Sequence, residues 1–331
     1  MSGFATVRHP LVRLRINGEI AGGVMSISVR SCGGVSADQF QARLALSAIG
    51  RDITSETVLR VEISLGIDNG WQTLLLGQTD NVRVDALRGE VSLEGRDLTA
   101  VFIGTRLSET FSNRTASEVA TTLAARHGLQ AMVDETDTLV GRYYESDHER
   151  TVLGRYAKAM TEWDLLVQLA QQEGFDVFVS GECLNFRAIQ EENSTKNISA
   201  KDCISLHLER AMLLAQDISV TVKSWNSQQH VAVEETATLN RGGEKQSYFF
   251  LRPNLYPAQA QQLSRTILSD IAGHEWTFDA VMPGDFMLAP RSIVRLVDTG
   301  TSFDGDYRII EIDRSLSERG FVQRIRCLRL V

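Results

Sequence analysis

Long apolar runs are absent from this sequence. None approaches the length a helix needs to cross a bilayer, and the opening MSGFATVRHPLVRLRI has no signal-peptide core. The expectation is a chain made and folded in the cytoplasm, with no stable membrane insertion. Cysteine is scarce too: the four positions, 32, 183, 203 and 327, include no CxxC pair. That excludes a disulfide framework or a cysteine zinc site and leaves small buried hydrophobes in a reducing compartment. The histidines, His9, His127, His148, His207, His230 and His274, show neither HExxH nor HxH spacing. No P-loop, GxSxG or GxGxxG follows a strand, and Arg241-Gly242-Gly243 has too few glycines and no following helix to cradle phosphate. Positive charge is short as well: 34 Lys and Arg against 42 Asp and Glu leave a formal net charge of -8. Such a chain is not built to grip nucleic acid by neutralising phosphates. No catalytic, metal-binding or cofactor-binding residue is expected, and the chain is read as not an enzyme. Asp147-His148-Glu149-Arg150 mixes carboxylates with an imidazole, but neighbours on a loop rarely converge on one substrate.

What the sequence does have is alternation. Its 331 residues suggest two or three domains. From Leu11 to Leu98 short strands follow one another. Leu11, Arg13 and Arg15 face one way and Val12, Leu14 and Ile16 the other, before an Asn17-Gly18 hairpin turn. Further strands run through Val24–Val29, Phe40–Leu46, Val58–Ile67 and Trp71–Leu76, with the turn Asp68-Asn69-Gly70 between the last two. Val82 and Val84 then pair with Val91 and Leu93 across Leu87–Glu90. Six or so antiparallel strands at this spacing predict a closed or nearly closed barrel. The last third returns to strands, with one helix near Pro257–Ile271 and a final hairpin, Tyr307–Asp313 against Phe321–Leu330.

Between the strand-rich regions lie two helices with both ends marked. Thr115 with Glu118 forms a capping box, Val119, Ala120, Leu123 and Ala124 share a face, and Gly128 supplies the stop. His127 falls in the last turn, where a cation suits the helix dipole. Thr161 caps a second helix with Asp164 third in line, Trp163, Leu166, Val167 and Ala170 share its face, and Gly174 ends it. A hairpin follows: Phe175, Val177 and Val179 alternate, Ser180–Glu182 turn, and Leu184 and Phe186 alternate back. The Gly95-Arg96-Asp97 step, where strands give way to helix, is read as a buried Arg–carboxylate lock between barrel and α/β domain.

Two separated segments, SLEGRDLTAVFIGTRLSETFSNRTASEVATTLAARHGL and TEWDLLVQLAQQEGFDVFVSGECLNFR, resemble in this order the phage late control protein D family of tail baseplate hub proteins, which is related to the hub portion of VgrG. The resemblance implies a mainly β fold with an α/β part, two similar tube-forming β-barrel domains separated by a smaller α/β domain. The boundaries expected are 1–104, 105–203 with the helix–hairpin element, and 204–331 with one helix. An internal echo agrees: Val82-Arg83-Val84-Asp85 and Val91–Leu93 resemble Ile310-Glu311-Ile312-Asp313 and Phe321–Ile325. Three chains with two equivalent barrels each would present six units, matching a six-fold tail tube on one side and a three-fold spike on the other. The partners implied are a homotrimer, a tail tube or distal tube protein, a spike protein, other baseplate proteins, and DNA that traverses the lumen without specific binding. The location implied is the virion tail baseplate, assembled in the host cytoplasm.

Two rival readings differ in class. A cell-wall-degrading tail enzyme would need two carboxylates flanking a sugar bond, which no local pattern reveals. A type VI secretion spike hub would continue into an OB-fold and a β-helical needle, whereas this sequence stops at Val331.

Overall fold

The computed structural model describes residues 10–49, 53–67, 70–107, 111, 114–137, 139–140, 161–189, 196–226, 231–252 and 255–330. The first part is β1 (Leu11–Ile16), β2 (Glu19–Ile20), β3 (Val24–Cys32), β4 (Gln39–Ala45), β5 (Arg60–Ile67), β6 (Gly70–Asp85) and β7 (Glu90–Asp97). A middle part follows: α1 (Thr99–Gly104), β8 (Arg114–Thr115), α2 (Ala116–Arg126), β9 (Gln130–Val133), β10 (Leu139–Val140), α3 (Glu162–Glu173), β11 (Phe175–Ser180) and β12 (Cys183–Ala188). The last part holds β13 (Lys196–Ser199), β14 (Ser205–Arg210), β15 (Asp217–Asn226), β16 (Val231–Leu239), β17 (Lys245–Leu251) and α4 (Pro257–Gly273). It closes with β18 (Trp276–Pro283), β19 (Ile293–Val297), β20 (Gly305–Ser317) and β21 (Gly320–Arg329).

The alternation seen in the sequence becomes burial. Leu14 and Ile16 point inward from β1 while Leu11 is exposed, and Asn17 and Gly18 take the positive φ that a tight hairpin into β2 needs. The β1, β3, β4, β5, β6 and β7 strands share one apolar core, so the sheet curls strongly. It does not close as a barrel. Both edges of β3 are occupied, by β4 and by β20, so β1 has no free edge on β3 to meet. Instead the first and last parts fuse into a single 13-stranded sheet. The stretches Trp71–Leu76 and Val82–Val84, read from sequence as separate strands, are one 16-residue strand bulged at Asp80.

Two halves of this sheet repeat one plan. The first runs β1-β5-β6-β7-β4-β3, and the second β13-β19-β20-β21-β18-β14, with strands in the same chain order. Every neighbouring pair is antiparallel except β13 with β19. Each central hairpin carries an extra residue on its first strand, Asp80 in β6 and Ile310 in β20. The two hairpins that echo each other in sequence therefore hold equivalent places, but the bulges set Val82 on Ile312, two positions from the Ile310 that the echo pairs it with.

The middle part packs α1, α2 and α3 with the β11-β12-β9 sheet around Phe102, Leu123, Leu166 and Phe186. The strands assigned from sequence to one C-terminal barrel divide between two sheets. β15, β16 and β17 form their own three-stranded sheet covered by α4, lying in the chain between β14 and β18. Alternation marks a strand but says nothing of which edge it joins. Among the described residues no helix is long and apolar enough to cross a membrane.

Opposite the β6 bulge stands Gly95. A Cβ there would lie 2.1 Å from the Gln78 carbonyl oxygen, 2.7 Å from the Phe40 ring and 2.8 Å from the Thr79 Cα. We expect Gly95→Ala to destabilise the protein by at least about 1–3 kcal/mol in urea unfolding, because backbone must move to admit the methyl.

Candidate functional site

Charged groups gather at the junction of the two halves. β3 and β20 pair antiparallel from Glu311↔Cys32 to Leu316↔Ile27. On the solvent side Arg30 Nε lies 2.7 Å from Asp313 Oδ1 and 3.8 Å from Glu311. On the inner side the buried Arg314 donates through Nη2 to the Leu288 carbonyl. Nearby, Asp38 accepts from Cys32 N at 2.8 Å, and the Arg291 guanidinium stacks 4.0 Å over the Phe178 ring and donates to the Gly34 carbonyl at 3.0 Å. Trp163 of α3 donates to the Val35 carbonyl at 2.8 Å, so the middle domain docks on the β3–β4 loop at the same place. These groups surround a cavity of about 220 Å³ lined by Asp38, Asp97, Trp163, Phe178, Arg291 and Arg314.

Burial dominates the electrostatics. Together with the neighbouring Asp38 charge it lifts the Asp97 carboxyl to about 7, against two opposing bonds from Thr99. Burial also raises Asp38, pushes the Cys32 thiol up to about 11, and lowers Arg314 to about 10 despite the Asp285 and Asp38 charges. A thiol held so high stays protonated and unreactive at neutral pH.

The Gly95-Arg96-Asp97 lock is not formed as read. Arg96 pairs with Asp80 across the β6–β7 hairpin, at 2.7 and 2.9 Å, on the half-exposed face. Asp97 instead caps α1, accepting from Thr99 N and Oγ1 at 3.1 Å each. Asp97 thus sits at the domain junction, but its partners are a helix start and a second carboxylate.

Both capping boxes are present as the sequence predicts, at Thr115–Glu118 and Thr161–Asp164. His127 does end α2, yet its partner is specific: Nε2 lies 2.6 Å from the fully buried Glu162 of α3, which also binds Arg126. Two other buried carboxylates are clamped in the same way, Glu275 by Arg210 and Arg241, and Asp285 by Lys196. These pairs escape a local reading because the partners lie 35 or more positions apart or, for Arg241–Glu275, 34. The 147–150 stretch, His9, His148 and His230 lie outside the described residues. Among those described, no three His, Cys, Asp or Glu side chains gather where a metal could sit.

Solved structures of similar fold are tail proteins and secretion components. A tail protein from Neisseria meningitidis MC58 superposes with a TM-score of 0.73 at 15% identity, over 97% of each chain. The 43 kDa tail protein of prophage MuSo2 from Shewanella oneidensis gives 0.73 at 13%, over 98% of this chain and 97% of that one. The E. coli c3393 protein, a type VI secretion component similar to the T4 tail proteins gp27 and gp5, gives 0.64 at 12%, over 96% of this chain and 77% of that one. The fold is that of phage tail and type VI spike-related proteins, a tail hub-like fold.

A family model described as the Alg8 N-terminal domain matches residues 59–247, more than half of the chain, and the chain belongs to that family. This is not the late control protein D model that the sequence resembles, and its description names no activity. No curated protein matches the sequence.

Asp97 supplies a pH test. Its folded carboxyl titrates at about 7, while an unfolded aspartate titrates near about 4. Between these values the native state holds a proton that the unfolded state has lost, so this group's contribution to stability falls as pH rises through 7. We expect wild type to lose on the order of 2–3 kcal/mol more stability than Asp97→Asn between pH 5 and pH 8 in urea unfolding. Equal pH slopes for the two proteins would contradict this assignment.

Proposed function

We propose that this chain is a structural hub subunit of a phage tail baseplate or a related contractile particle. Three copies form a ring of six near-equivalent units around a channel, which adapts a six-fold tail tube to a three-fold spike and lets DNA pass without specific binding. The observation that carries this reading is the repeated six-strand unit: two copies per chain convert three-fold into six-fold symmetry. The likeness to tail and type VI proteins supports the same class of particle. The two curled halves take the place of the two tube-forming barrels, with the middle domain and the β15–β17 sheet with α4 as additions to that plan.

The net charge of -8 suits a wall that does not retain phosphate. The chain works without a catalytic step. One observation favours the wall-degrading alternative, the raised carboxyls of Asp38 and Asp97 beside one cavity. Both are, however, engaged by backbone amides, as a loop brace and a helix cap.

Native mass spectrometry and negative-stain averages of the purified chain, alone and with its spike protein, test the proposal. A three-chain ring with six-fold-like density is expected, together with no release of fragments from peptidoglycan. A chain that stays monomeric over a wide concentration range and does not bind tail tube would overturn the ring, and peptidoglycan cleavage lost in Asp97→Asn would establish the enzyme reading.

A further inference from the structure

Each six-strand unit has two edges by which it can join another, and the chain uses only one of each kind, β3 of the first unit and β20 of the second. Two equivalent edges are left over. The outer edge of β6 ends its pairing with β5 at Arg60↔Gln78, with one further bond from Thr79 N to the Leu59 carbonyl. Beyond that point no described strand pairs with that edge over Asn81–Asp85. β14 pairs with β18 alone, so its other edge is also open among the described residues.

Aligning the two hairpins on their bulges places Asn81–Asp85 on Glu311–Ser315. Following the ladders outward, through β7 and β4 in one unit and β21 and β18 in the other, places Leu206–Arg210 on Ile27–Ser31. The inward residues agree under this alignment, since Leu206 and Leu208 pack on the second core as Ile27 and Val29 pack in the first.

We propose that β14 of one copy adds antiparallel to the open edge of β6 in the next copy, in the register that β3 and β20 show within the chain. The proposal rests on the ring reading above and names the strands that close the ring. It puts Glu209 opposite Arg83, Leu208 opposite Val84 and His207 opposite Asp85. The internal seam has Arg30 opposite Asp313 at the equivalent place, so the ion pair recurs with its sign reversed. Val84 is 40% exposed, and Ile204, Met212 and Leu213 at the two ends of β14 are exposed by 64, 65 and 62%. An open edge flanked by apolar side chains is the surface a partner strand would cover. Because the two edges differ, the contact is head-to-tail and continues around a ring instead of stopping at a dimer.

Charge reversal tests this directly. Arg83→Glu and Glu209→Arg should each raise the concentration for half-assembly about tenfold or more, since like charges would then face each other at every seam between copies. The double variant should restore assembly. Sedimentation gives the assembly state, and circular dichroism checks that each variant folds. If wild type forms the three-chain ring and both single variants assemble as wild type does, or the double variant is no better than they are, the edge pairing is wrong and the hub reading stands. A wild-type chain that never assembles would overturn both.

Discussion

The ladder between β3 and β20 is the constraint on which the rest of the molecule depends. It places Arg30 beside Asp313, 283 positions away, and so ties the beginning of the chain to its end. Because β3 spends its second edge on β20, the first half cannot close on itself, and its curled sheet becomes one part of a larger one. The middle domain and the β15–β17 sheet with α4 are then excursions between strands whose positions are already set. Closing so long a loop costs entropy, which the ladder has to offset.

Charge at this junction has a different task from charge at the other buried sites. Glu162, Glu275 and Asp285 each have a basic partner within direct reach, which offsets the desolvation of the carboxylate. Asp97 has Thr99 and the neighbouring Asp38 in place of a basic partner, and its carboxyl is correspondingly held up near neutrality. Such an arrangement is a poor source of stability. Its value lies in register: a slip of β20 by one residue along β3 would turn Arg314 out to the solvent face and carry Asp313 away from Arg30.

The sequence was legible where one short segment contains the whole of the chemistry. Thr115 with Glu118 and Thr161 with Asp164 hold donor and acceptor within one turn, so both helix starts could be read. The two helices and the β11–β12 hairpin follow from the same local rules. Pairing between distant edges was not legible. Arg96 could be seen at a junction, but its choice of Asp80 depends on the hairpin bulge. His127 could be seen at a helix end, but Glu162 belongs to a helix that begins 35 positions later. The strand pattern of β15–β17 matches that of the large sheet, and only α4 packed on one face separates them. Repetition was legible only in part: the echo picked out the two central hairpins, which hold the same place in one plan, but it set them two residues out of the register that their bulges define.

The two-fold repeat also bears on why the charges at the proposed seam would be opposite in sign to those of the internal one. The seam within the chain sets Arg30 of β3 against Asp313 of β20, and the proposed seam between chains would set Glu209 of β14 against Arg83 of β6. Were β3 to meet β6 of another copy, Arg30 would face Arg83. Were β14 to meet β20, Glu209 would face Asp313. Both wrong pairings set like charges opposite each other, and both right ones set unlike charges opposite each other. A repulsive element against the competing partner is how similar edges are told apart when their backbones offer the same hydrogen bonds. First units can then join only second units, and a ring built by this rule must alternate between them. An alternating ring contains an even number of units, two for every chain, which is the property by which the proposed three-chain ring would present six similar faces to one neighbour and three identical ones to the other.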